Sequence, residues 1–118
     1  MKRFALFAVF ALLVGAFAQA PAGVEAAKPG RCLLVIDGKT YISGRCDIEM
    51  YNDGTGSFQI TERRKRGAYF AQVLIDNGEA LGYWNEERAA THAHASLGAL
   101  TRDGACWKND RARVCAWK

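Results

Sequence analysis

The chain predicts an all-β fold: a single small antiparallel barrel or two-layer sandwich of about eight short strands, stapled by two disulfides. Three observations carry that expectation. Turn-forming dipeptides recur at regular intervals, runs of strand length lie between them, and four cysteines follow an N-terminal leader.

The leader comes first. Lys2 and Arg3 precede an uncharged apolar run from Phe4 to Phe17, the layout of a secretory signal. A bilayer-spanning helix needs roughly 20 apolar residues, and this run gives way earlier to Gln19, Pro21 and Gly23. Small residues in Ala16-Phe17-Ala18 and Val24-Glu25-Ala26 fit cleavage after Ala18 or Ala26. Residues 1–26 therefore read as a signal peptide and residues 27–118 as an exported β domain, with no transmembrane segment after cleavage. What remains, roughly 90 to 100 residues, suffices for one domain with a marginal core.

Cys32, Cys46, Cys106 and Cys115 all lie in that domain. An even count in an exported chain reads as disulfides rather than reactive thiols. Three connectivities are possible, and the spacing favours local pairing, each pair flanking one hairpin. A four-cysteine zinc site normally includes a closely spaced pair such as C-x-x-C, which is absent.

The strands follow in order. Leu33 to Ile36 is a continuous apolar run, and Asp37-Gly38 turns it into Thr40 to Ser43. Ile48 and Met50 alternate with Glu49 and Tyr51. Beyond Asp53-Gly54, Phe58 and Ile60 alternate with Ser57, Gln59 and Thr61, the period of a sheet with one dry and one wet face. Ala68 to Ile75, Ala80 to Trp84 across Asn77-Gly78, an Ala-rich stretch from Ala89 to Leu100, Ala105 to Trp107 and Ala112 to Trp117 complete the set. Asn-Gly and Asp-Gly enter tight hairpin turns because both positions tolerate positive φ. Asn85-Glu86-Glu87-Arg88 has the composition of a helix start, which predicts one helical turn before the chain resumes as strand.

Few residues carry chemistry. His92 and His94 share one face if their segment is a strand, a pair that could hold copper or zinc with a third ligand. They are the only histidines in the chain, and no G-x-S-x-G elbow accompanies them, which argues against a serine hydrolase. Glu86-Glu87 and Asp47-x-Glu49 are the carboxylate pairs, both beside turns where solvated charge is the default. The expectation is a non-enzyme without cofactor.

The strongest surface signal is Arg63-Arg64-Lys65-Arg66, four consecutive cations before Gly67. With Arg102, Lys108, Arg111, Arg113 and Lys118 they contribute to the net charge of +4. Such a patch draws anionic partners. Outside the cytoplasm these are lipid headgroups, acidic glycans or an acidic protein face, not nucleic acid. Trp107 and Trp117 neighbour Cys106 and Cys115 and are expected to pack on the terminal hairpin. The sequence thus predicts a periplasmic or secreted binding protein that meets an envelope polymer, or a protein such as a wall hydrolase, through residues 63–66. The alternative is a metal-binding or envelope-stress protein using His92 and His94.

The plan of an exported eight-strand domain with cysteines, together with Asp37-Gly38-Lys39-Thr40-Tyr41, resembles the periplasmic inhibitors of c-type lysozyme. The resemblance implies the same kind of β fold. Those inhibitors insert an S-G-x-x-Y loop into the lysozyme cleft, whereas here Ser43-Gly44 is followed by Arg45 and Cys46. Inhibition is therefore not carried over.

Overall fold

Turn chemistry sets the strand register. At Asp37-Gly38 both residues take positive φ, 52° and 79°, and Asn77-Gly78 repeats the pattern at 53° and 81°. These are two-residue hairpin turns whose twist matches that of the strands they join.

The computed structural model describes residues 26–118 and the backbone of Gly23 and Val24. The predicted leader and its cleavage region fall largely outside the described residues. The strands are β1 (Gly23–Val24), β2 (Lys28–Ile36), β3 (Lys39–Asn52), β4 (Phe58–Glu62), β5 (Phe70–Asp76), β6 (Glu79–Trp84), β7 (Ala95–Asp103), β8 (Cys106–Lys108) and β9 (Ala112–Trp117). From β2 to β9 each strand pairs antiparallel with the next, and β9 pairs back onto β2. The result is a closed eight-strand up-and-down barrel, which leaves no long unpaired edge. Short β1 adds to the far end of β3, with Gly23 opposite Asn52.

Alternation along each strand fills the barrel. Leu34, Ile42, Ile48, Ile60, Val73, Leu97 and Val114 point inward and are buried, as the period of two requires. The two disulfides join the pairs that the spacing favours, Cys32 with Cys46 and Cys106 with Cys115. Cys32 and Cys46 belong to the core, linking β2 to β3, whereas Cys106 and Cys115 face each other across β8 and β9 on the opposite pleat. Closing loops of 14 and 9 residues is worth about 3 kcal/mol each in the chain-entropy model. Two closed disulfides suit an oxidising compartment, and among the described residues no helix is long and apolar enough to cross a membrane.

Three expectations change. Thr40 to Ser43 and Ile48 to Tyr51 are one strand, because β3 is long enough to pair with both β2 and β4. The helical turn after Asn85 does not form. The Asn85 side chain, 0% exposed, instead gathers the carbonyls of Ala68, Glu87 and Ala90 within 3.1 Å of Nδ2. Its Oδ1 accepts from the Phe70 amide at 3.0 Å. With Oδ1 taken by the Phe70 amide, no side-chain oxygen is left to cap a helix. The strand expected through His92 begins only at Ala95.

Up-and-down connections sort the turns into two ends. Residues 37–38, 63–69, 85–94 and 109–111 lie at one end; residues 53–57, 77–78 and 104–105 lie at the other. At the first, Tyr41, Tyr69 and Trp84 meet edge to face or tilted, with ring centroids 4.5–5.9 Å apart. They close the barrel there.

Candidate functional site

Basic residues on the outer wall gather where strand register places them side by side. Cys32 and Cys46 point inward, so the residues before them, Arg31 and Arg45, point outward. Antiparallel pairing sets Arg31 directly opposite Arg45. On the other side of β3, Cys46 is opposite Glu62 at the end of that ladder, and Arg63, just beyond β4, lines the same hollow as Arg45. On the far side of β2, Arg31 is opposite Trp117. A row of Arg63, Arg45, Arg31 and Trp117 therefore crosses four neighbouring segments of chain.

All four side chains are exposed, Trp117 to 46%. Pro29, Gly30, Arg31, Arg45 and Arg63 line a hollow of about 390 Å³ in this wall. Arg63 forms an ion pair with Asp47. Among the described residues, Arg31 and Arg45 have no carboxylate within ion-pair distance. Two guanidinium groups directly opposite each other on paired strands destabilise the pair by roughly 0.2–1 kcal/mol.

The predicted loop continues the row. Arg64, Lys65 and Arg66 are exposed in the β4–β5 connection. Gly67 ends the run at φ 54°, and a Cβ there would meet the Arg88 carbonyl oxygen at 3.2 Å. That close approach presses the basic loop against the 85–94 loop. The contact is reinforced by Glu62, which accepts from Arg88 Nε and from the Tyr69 amide, both at 2.8 Å. Burial pushes the Glu62 carboxyl up, but those bonds and the charges of Arg88 and Arg64 outweigh it. The group sits below the ordinary glutamate range.

The other predicted residues lie apart. Of the C-terminal cations, Arg111 binds Asp37 through two nitrogens at 3.2 Å, and Lys108 pairs with Asp103 at 3.4 Å. Arg102 sits at the opposite end of the barrel. The arginine at Asp37 holds that carboxyl below its usual range. His92 and His94 lie in the 85–94 loop, not on a strand. His94 Nδ1 faces the His92 carbonyl oxygen at 3.2 Å and its Nε2 faces Glu86 at 3.3 Å. Among the described residues no three of His, Cys, Asp and Glu are placed to hold a metal ion. Asp47, from the second carboxylate pair, is engaged by Arg63, and Glu86 by His94. Trp117, expected to pack on the terminal hairpin, is 46% exposed at the end of β9.

Arg31 and Arg45 escaped sequence reasoning, although a signal exists. Each precedes a cysteine in an Arg-Cys dipeptide. Once Cys32 and Cys46 are bridged inside the barrel, their preceding residues must emerge together outside it.

Comparison with protein-family models, curated proteins and solved structures finds no match to this chain.

Proposed function

We propose that this is an exported, non-catalytic binding protein of the cell envelope, periplasmic or secreted, which holds an anionic envelope polymer against its basic wall. The carrying observation is the row of Arg31 and Arg45, paired in register, with Arg63 on the same hollow, followed in the chain by exposed Arg64, Lys65 and Arg66. Like charges opposed on paired strands lower stability, and an anion laid across them removes the repulsion. Guanidinium groups bind phosphate and carboxylate in planar, two-pronged geometry. The exposed Trp117 ring beside Arg31 adds a flat apolar surface against which a sugar ring of an acidic glycan can lie.

The stapled barrel suits this role because the wall is rigid. Strands β2 and β3 carry Arg31 and Arg45 on a paired backbone that the Cys32–Cys46 bridge ties together, so little backbone ordering cost falls on binding.

The test separates binding from stability. A variant carrying Arg31→Gln, Arg45→Gln and Arg63→Gln should elute from an immobilised acidic glycan or lipopolysaccharide at lower salt than the native protein. Its melting temperature should hold or rise, because the lost Arg31–Arg45 repulsion offsets the loss of the exposed Arg63–Asp47 ion pair. A variant that binds unchanged sinks the reading, and one that melts earlier makes the row a structural feature. Capture of an acidic protein with no retention on polymer would replace the polymer with a protein partner.

A further inference from the structure

The end of the barrel opposite the aromatic closure is hollow. Ile48, Met50, Phe58, Ile75, Trp107 and Ala116 face inward from five strands and line a cavity of about 410 Å³. Met50, Ile75, Trp107 and Ala116 remain only half-buried despite their inward pleat. Three turns ring the opening, and each brings a glycine to it: Gly56, Gly78 and Gly104. A Cβ added at Gly78 or Gly104 would meet nothing within 4 Å. The rim therefore has no side chain at these points to cover the mouth.

The charge lining the cavity has one sign. Among the described residues the charged groups lining the cavity are Arg102 and Lys118. Arg102 lies on the inward pleat, opposite Trp107. Its guanidinium is 5.8 Å from the Trp107 ring centroid, and its Nε donates to the Gly104 carbonyl at 3.1 Å. No carboxylate pairs with it among the described residues. Among the described residues none of the nearby acids lines the cavity. Asp53 accepts from Thr55, Asp103 is 3.4 Å from Lys108, and Asp76 and Glu79 line a separate hollow on the outer wall.

An eight-strand barrel either fills its interior with side chains or holds one small ligand, and ligand cavities run to roughly 300–1,000 Å³. We propose that the open end is a second binding site, for a small single-tailed amphiphile. Its apolar tail enters between Phe58, Ile75 and Trp107, and its carboxylate or phosphate head rests on Arg102 with Lys118 beside it. Burying the tail supplies the affinity, and the unpaired guanidinium selects an anionic head over a neutral or cationic one. The site shares no residue with the basic wall, so it stands or falls independently of the envelope-polymer reading.

Decanoate is the probe, added below its micelle concentration to protein produced from the full chain in an exporting host. It should displace anilinonaphthalene sulfonate and shift tryptophan emission. Decanol should bind at least about fivefold more weakly than decanoate, and decyltrimethylammonium more weakly still. Arg102→Gln, an exposed change, should weaken decanoate by about fivefold and bring it level with decanol. Ala116→Leu, which places a larger side chain in the cavity, should abolish binding. Circular dichroism checks that this variant folds, and the head-group series on the native protein stands without it. The triple change at Arg31, Arg45 and Arg63 should leave decanoate binding as it was. The proposal is overturned if decanoate does not bind, if the cationic detergent binds as well as decanoate, or if Arg102→Gln binds as the native protein does.

Discussion

The two ends of the barrel are built from the same topology and put it to opposite uses. At the closed end, Tyr41, Tyr69 and Trp84 fill the bore, and long connections fold over it around the buried Asn85. At the open end the turns are short, glycine stands at the rim, and the inward apolar side chains stop short of filling the space. A closed sheet of fixed strand number has a fixed bore. Whether an end is solid or hollow therefore depends on the few side chains its turns supply. Stability concentrates where the bore is filled, and capacity for a ligand lies where it is not.

Two tryptophans make that contrast measurable, since Trp84 and Trp107 both point inward, at opposite ends. Trp84 is 5% exposed and touches two tyrosines, so Trp84→Ala should cost about 3–5 kcal/mol. Trp107 faces the cavity and has less to lose, so Trp107→Ala should cost on the order of 1–2 kcal/mol. Urea unfolding of both variants checks the pair. Equal losses would mean that the open end is packed as well as the closed one.

Asn85 gives the next effect. Replacing it by alanine strips partners from the Ala68, Glu87 and Ala90 carbonyls and the Phe70 amide. Leaving such groups unsatisfied costs about 3 kcal/mol in all if part of the loop opens to water. Amide hydrogen exchange should then rise in residues 85–94 and at Phe70, while the 53–57 and 77–78 turns exchange as before. Faster exchange at both ends would mean that Asn85 supports the whole barrel, not its closed end.

Much of this architecture was legible in the sequence. Asp37-Gly38 and Asn77-Gly78 announced hairpins through the one backbone conformation those residues adopt cheaply. Alternation at Phe58 to Thr61 announced a one-sided strand, and the cysteine spacing favoured the pairs that form. What was illegible depended on neighbours distant in the chain. Asn85 read as a helix cap because local composition does not show that Ala68 and Phe70 will compete for its side chain. The site was only partly visible. A run of four cations stands out in one segment, but the row from Arg63 through Arg45 to Arg31 exists only once the register of β2, β3 and β4 is known. The cavity had no sequence signal, being a matter of where inward side chains end.

Acid should loosen the closed end through Glu62. The Glu62 carboxyl is held below its usual value of 4.5 in the folded protein, so its bonds to Arg88 and Tyr69 stabilise the fold fully above that value. The contribution disappears as pH falls through the depressed folded value. Glu62→Gln should therefore be less stable than the native protein at pH above about 5 and equal to it in strong acid. Unfolding midpoints across that range check the convergence. A gap that stays constant with pH would assign the loss to packing instead of charge.

The smallest difference separates two exposed arginines, one at each end. Arg111 joins the 37–38 and 109–111 turns through Asp37 and donates to the Ser96 carbonyl at 3.2 Å. Arg102 has the Gly104 carbonyl and the Trp107 ring, with no carboxylate partner among the described residues. Arg111→Gln should lower the unfolding midpoint slightly in low salt, and the loss should shrink in high salt as solvent ions screen the pair. Arg102→Gln should leave the midpoint unchanged in both, because no ion pair is broken. If both variants lose stability alike, the Arg102 guanidinium belongs to the fold, and the open end is less free to receive an anion than its unpaired charge indicates.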